Sequence, residues 1–433
     1  MADHPVVFSL NGEVVEPRGR GRLVEGQWIT CPMGIQSTDR AFAGIFRDGS
    51  CMTWGDANYG GDSTALQDRL VNVHFLQATR SAFAAILGNG SVLVWGNPLQ
   101  GGNCDGVQER LVNVEQIQAT QRAFAAIVGN GSVVCWGDPD FGGHCGAVQD
   151  QLLHVQQIQA TDSAFAAIRA DGSVVTWGQQ LTGGDSSSVH AQLLHVQQIQ
   201  ASDKAFAAIL DDGSLVTWGD PMWGGNSSGV RARNVQQIQA NGNAFAAILG
   251  DGTCVTWGCE GSGGDSSAVQ AQLQTVRQLQ CTDQAFAAIL ADGSVVTWGD
   301  AFFGGDSRAV QAQLTGVQQI QSSTRHFAAL KRNGSVVSWG DHRDGSVYGI
   351  DASDTETLTQ VISIASNRFA FAALLADGSV ETWGHVYWLP KAVTQGRLSE
   401  RPTTEIYAGA AGFAAIQNDG SVVTWPKPCA HVQ

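Results

Sequence analysis

The sequence predicts an all-β chain built of about ten small antiparallel sheets, with three or four strands in each. Three observations carry that prediction. A tryptophan returns at Trp54, Trp95, Trp136, Trp177, Trp218, Trp257, Trp298, Trp339, Trp383 and Trp425, mostly in steps of 41 residues. A turn glycine keeps nearly the same step, from Gly49 through Gly172 and Gly293 to Gly420. Between the two lies almost the same text each time, as in AFAAILADGSVVTWGD over 285–300. Self-similarity at a fixed period of this length marks an array of one supersecondary unit.

Each piece of the unit has its own reason. AFAAIL and SVVTWG are short apolar runs rich in Val, Ile and aromatic residues, the composition of strands. Asp-Gly or Asn-Gly joins them, which predicts a hairpin with a two-residue primed turn at positive φ. VQQIQA, upstream, reads as a third strand. The polar stretch downstream, such as GGDSSAVQAQL over 263–273, reads as a loop holding a short fourth strand or a helical turn. Both faces of AFAAIL are apolar, so the sheet needs cover on both sides, and neighbouring copies are there to supply it. Alanine lets the sheets approach, and Phe and Trp fill the remaining space. Burying one Trp removes roughly 200 Å² from water, worth about 5 kcal/mol as an upper bound. A lone hairpin is marginal, so the repetition itself makes the core. Trp95, Trp136, Trp177, Trp218, Trp257, Trp298 and Trp339 are the predicted core positions.

A paired-helix solenoid has a similar period but no glycine turn inside every unit, and a parallel β-helix lacks antiparallel hairpins. The predicted arrangement is a β-propeller or an open propeller-like spiral. The array covers residues 29–433. Residues 1–28 form an N-terminal extension in which Leu10–Val15 resembles one worn hairpin.

Composition limits the function. Only 15% of the 433 residues are charged and the net charge is −15. That argues against unassisted binding to nucleic acid or anionic membranes, where Lys and Arg must neutralise phosphates. Arg18, Arg20 and Arg22, among glycines, read as a solvated linker. No apolar stretch approaches the length of a membrane span, and the N-terminus carries no basic, apolar leader. The nine cysteines are scattered without CxxC spacing, although Cys104 and Cys145 occupy equivalent places. A reduced compartment, cytoplasmic or nuclear, is the expectation, with no secretion.

The candidate chemistry sits in the loop after each Trp-Gly. The position before Gly-Gly varies: Tyr59, Gln100, Phe141, Thr182, Trp223, Ser262, Phe303. Varied aromatics on rigid loops are what an interaction surface uses. Tyr59, Phe141, Trp223 and Phe303, with Phe302 beside the last, are therefore candidate binding residues; tucking between sheets is the alternative. Asp56, Asn58 and Asp62 alternate as calcium-loop ligands do, but the terminal bidentate Glu is missing. Asp62, Asp185, Asp265 and Asp306 therefore read as turn formers and as the acidic members of the same surface, with no metal. The histidines form no HxH or HExxH, and there is no GxSxG and no phosphate-cradling loop. No enzymatic activity and no cofactor is expected.

The Val/Ile strand, the Ala-Phe-Ala-Ala strand, Asp-Gly-Ser-Val-Val and Trp-Gly followed by Gly-Gly together resemble the regulator of chromosome condensation repeat, especially its short-repeat members. The resemblance covers residues 29 to 425. It implies a propeller that serves as a non-catalytic protein-interaction scaffold. By analogy it also implies two other roles, a guanine-nucleotide exchange regulator of a small GTPase and a substrate-recognition part of a ubiquitin ligase. The implied partner is a protein, either a basic one or a small GTPase. Ten good copies depart from the family's usual seven. No HECT-like domain follows the array, and the Gly-Trp-Arg-His-Thr motif of the plant UV-B photoreceptor is absent.

Overall fold

The computed structural model of the chain describes residues 32–46, 48–341, 355, 358–384, 401–409, 412–419 and 422–425. The N-terminal extension with its worn hairpin, and residues 342–354, 356–357 and 385–400, lie outside the described residues. The described chain forms ten three-stranded sheets. Each is made of three consecutive strands in chain order, with the middle strand central. The fourth repeat is representative: Val155–Ala160, Ala164–Arg169 and Val174–Gly178, paired antiparallel throughout. The downstream loop holds short 3-10 turns, Gln180–Thr182 and His190–Gln192, and no fourth strand.

The hairpin turn departs from the two-residue form that Asp-Gly predicts. Gly172 N–H donates to Arg169 O at 2.8 Å, and Arg169 N–H donates to Ser173 O at 2.9 Å. Gly172 lies at φ +75°, while Asp171 keeps a negative φ. This is a three-residue loop in which a turn is followed by one left-handed glycine. Asp171 Oδ1 then accepts from Ser173 N–H and Oγ–H, at 3.0 and 2.6 Å, and closes the turn with its side chain.

The outer pattern VQQIQ buries its Val and Ile three positions apart, which strict alternation forbids. The register explains it. Val155 faces Arg169 while Gln157 faces Ile168, so Gln156 is an extra residue in a bulge. The same shift occurs in the first strand of all ten sheets.

The core is a stack of unequal faces. Ala164, Ala166 and Ile168 of the fourth sheet meet Val196, Ile199, Phe206, Ala208 and Trp218 of the fifth. A small face thus receives a large one, and the sixth and seventh sheets repeat the arrangement. Phe206 and Trp218 are cross-strand partners, stacked with ring centroids 5.1 Å apart. The indole of Trp218 donates to Gly183 O of the preceding repeat at 3.0 Å. Equivalent bonds join Trp95, Trp136, Trp177, Trp257, Trp298 and Trp339 to the first glycine of the preceding Gly-Gly. Each removes a buried donor and a buried acceptor that would otherwise go unsatisfied. All seven of these indoles are buried, at 0–5% exposure.

The chain divides into two compact units. One comprises residues 1–129, 134–138 and 361–433, and the other 130–133 and 139–360. In the first, Pro32–Ser37 neighbours Thr403–Gly409 of the tenth repeat. The second holds repeats four to eight, stacked as described. There, bonds tie consecutive repeats at both ends of the sheets. Asp162 N–H donates to Asp203 O and Asp203 N–H to Gly242 O at one end; Val196 N–H donates to Gly172 O and Val235 N–H to Gly213 O at the other. The sheets of this unit therefore point the same way.

Candidate functional site

Antiparallel register decides where the loops emerge. Ala164 pairs with Gly178, so residues 161–163 and the Gln180–Thr182 turn leave the sheet at one end, and Asp171-Gly172 lies at the other. In the fifth repeat Asp220 caps the Pro221–Trp223 turn by accepting Met222 N–H at 3.0 Å, and Gly224 closes it at φ +95°. A Cβ on Gly224 would stand 2.4 Å from the Phe245 ring, so the loop lies directly on the next sheet's aromatic pair. Gly225 is equally confined, since its Cβ would meet the Gly219 carbonyl at 2.4 Å.

These contacts settle the posture of the residue before Gly-Gly. The carbonyls of Tyr59, Trp223 and Phe303 accept from Thr38, Ser202 and Thr282 hydroxyls at 2.9, 2.9 and 2.8 Å. Their rings are half-buried beneath cations: Arg40 lies 5.1 Å from the Tyr59 centroid, Lys204 4.2 Å from that of Trp223, and Arg325 5.1 Å from that of Phe303. Phe141 is half-buried too. In repeats with a polar residue here, the same corner holds Ser81 against Gln100 at 2.6 Å and Asn243 against Ser262 at 3.1 Å.

The residue one step earlier faces water. Leu181 is 78% exposed, Met222 75% and Phe302 49%. Leu99, in the other unit, is 80% exposed. Of these, sequence reasoning had picked out only Phe302. The available signal was an apolar residue recurring at the repeat period in a loop that is otherwise polar.

The acidic candidates are caps. Asp62, Asp185 and Asp265 each accept a backbone N–H two residues on, at 2.8–2.9 Å. That bond, helped by the neighbouring serine hydroxyl, holds the Asp185 and Asp265 carboxyls below the usual carboxylate range. Asp306 accepts from Arg308 N–H and from its guanidinium, the latter at 2.6 Å. Asp56 caps its own turn through Asn58 N–H. Among the described residues no group of three or more His, Cys, Asp or Glu gathers as metal ligands. No helix there is long and apolar enough to cross a membrane.

His154 and His195 sit at φ 56° and 57°, packed on Gly131 and Gly172, where other repeats place Asn72, Asn113 and Asn234. They are left-handed loop residues of the kind Asn supplies. Burial pushes the Cys51 and Cys254 thiols up to about 12, so neither is a thiolate at neutral pH. Cys135 and Cys145 are disulfide-bonded, a departure from the scattered free thiols expected. The reason is positional. In the next repeat the same two positions hold Thr176 and Ser186, whose hydroxyls lie 3.1 Å apart.

No family model matches the chain, and no curated protein sequence matches it. Solved structures do, at low identity. Prp20p of Saccharomyces cerevisiae, whose structure was described with its binding to Gsp1p and histones, is 15% identical over 95% of this chain and 88% of that one, with a TM-score of 0.38. Human WBSCR16 is 14% identical over 95% and 98%, with a TM-score of 0.34. The ectodomain of the Physcomitrella patens receptor kinase CR4 is 16% identical over 59% and 67%, with a TM-score of 0.33. These likenesses are loose.

Proposed function

We propose that the chain is a non-catalytic scaffold for protein–protein interaction, a propeller-like array whose stacked sheets hold exposed loop tips in fixed positions. One observation carries the reading. Met222 stands 75% exposed on a turn whose cap, closing glycine and carbonyl are all locked to the sheets below. A loop whose backbone is already fixed loses little backbone entropy on docking, which is how preorganised surfaces gain affinity. The net charge of −15 favours a basic protein partner and speeds its encounter. The test is affinity capture by the tagged full chain from a native extract, with quantitative mass spectrometry. Specific proteins enriched over a bead control are expected; a chain that enriches none contradicts the proposal.

A further inference from the structure

In the second unit the two ends of the sheets differ in charge. At the end carrying the 3-10 turns that follow each Trp-Gly stand Asp162, Asp185, Asp203, Asp220, Glu260 and Asp265. Among the described residues the cations at that end are already engaged. Lys204 lies over Trp223, Arg308 grips Asp306 with two nitrogens, and Arg325 pairs with the buried Asp341 at 3.4 Å. At the opposite end, Arg169, Arg231, Arg233, Lys331 and Arg332 offset the turn carboxylates. Among the described residues of this unit, only the first end therefore combines exposed apolar tips with a net excess of acidic residues. The tips there are Leu181, Met222 and Phe302, 78%, 75% and 49% exposed.

Resting on the scaffold reading, we infer that this end of repeats four to seven docks a basic amphipathic segment of a protein partner, one in which Lys or Arg alternates with apolar side chains. The apolar tips supply burial. Asp185 and Asp265 stay ionised, because the N–H groups of Ser187 and Ser267 hold their carboxylates, and they keep the frame around the tips negative. A purely basic strand would leave the tips in water, and an acidic apolar strand would meet like charge.

The test uses short fluorescein-labelled peptides and fluorescence anisotropy with the full chain. A Lys/Leu alternating peptide is expected to bind about tenfold or more tighter than Glu/Leu and Lys/Ser controls, each tenfold being about 1.4 kcal/mol. The variant Leu181→Ser, Met222→Ser, Phe302→Ser is expected to lose about tenfold. Leu153→Ser, Leu194→Ser, at the opposite end, is expected to lose none. Equal binding of Lys/Ser, no binding of Lys/Leu, or indifference to the triple variant overturns the inference. Capture from extract separates the two proposals. Partners retained by the triple variant contradict this face and leave the scaffold standing, whereas no partner on the wild-type chain contradicts the scaffold itself.

Discussion

At Asp171, Asp212, Asp251 and Asp292 the hairpin turn is closed by a side chain as well as by the backbone. The hydroxyl and then the N–H of Ser173, Ser214, Thr253 and Ser294 hold these carboxyls below the usual carboxylate range. A depressed folded pKa contributes stability that is present above the unfolded value, about 4, and is lost as pH falls through the folded value beneath it. The thermal midpoint is therefore expected to drop once pH passes below about 4. Replacing the four by Asn should flatten that drop, because Asn89, Asn130 and Asn333 already accept the same bonds without a charge. Circular dichroism melts from neutral to acid pH check this; an unchanged slope in the variant counts against it. The site was only partly legible at this scale. The loop residues that vary could be read, but which of two neighbours faces water could not. That choice is made by a hydroxyl 21 residues upstream, as Ser202 is to the Trp223 carbonyl.

Within one repeat, the strands were legible because Asp-Gly and Trp-Gly bracket them. The bulge was not, since a doubled Gln looks like any polar pair until its register is seen. Nor was the place of Cys135 and Cys145, although Thr217 and Ser227, and Thr297 and Ser307, keep the same spacing and hydrogen-bond at 3.0 and 2.9 Å. The double glycine has a stricter requirement. Gly224→Ala places a side chain at φ +95° and against Phe245, so both the turn and the next sheet's aromatic pair must shift. A loss of about 2 kcal/mol or more is expected from strain and overpacking. Chemical denaturation of the full chain measures it. Gly229→Ala, where a Cβ meets nothing within 4 Å, serves as the near-neutral comparison.

Across the molecule, stability is shared between neighbours, as in any array whose units bury their faces on one another. The alternation of a small alanine face with a Phe–Trp face recurs in both units. The periodic tryptophans made this much readable from sequence. The charge difference between the two ends of the sheets was hidden, because residues near in sequence are sent to opposite ends by the antiparallel fold. Trp–Phe pairs locked by the preceding repeat's glycine loop are the feature on which everything else rests, and amide-type exchange of the indole N–H groups, followed by NMR on tryptophan-labelled chain, tests it most directly. The indoles of Trp95, Trp136, Trp177, Trp218, Trp257, Trp298 and Trp339 are expected to exchange slowly, and half-exposed Trp223 quickly. Seven indoles exchanging as fast as Trp223 would contradict the stacked, hydrogen-bonded sheets.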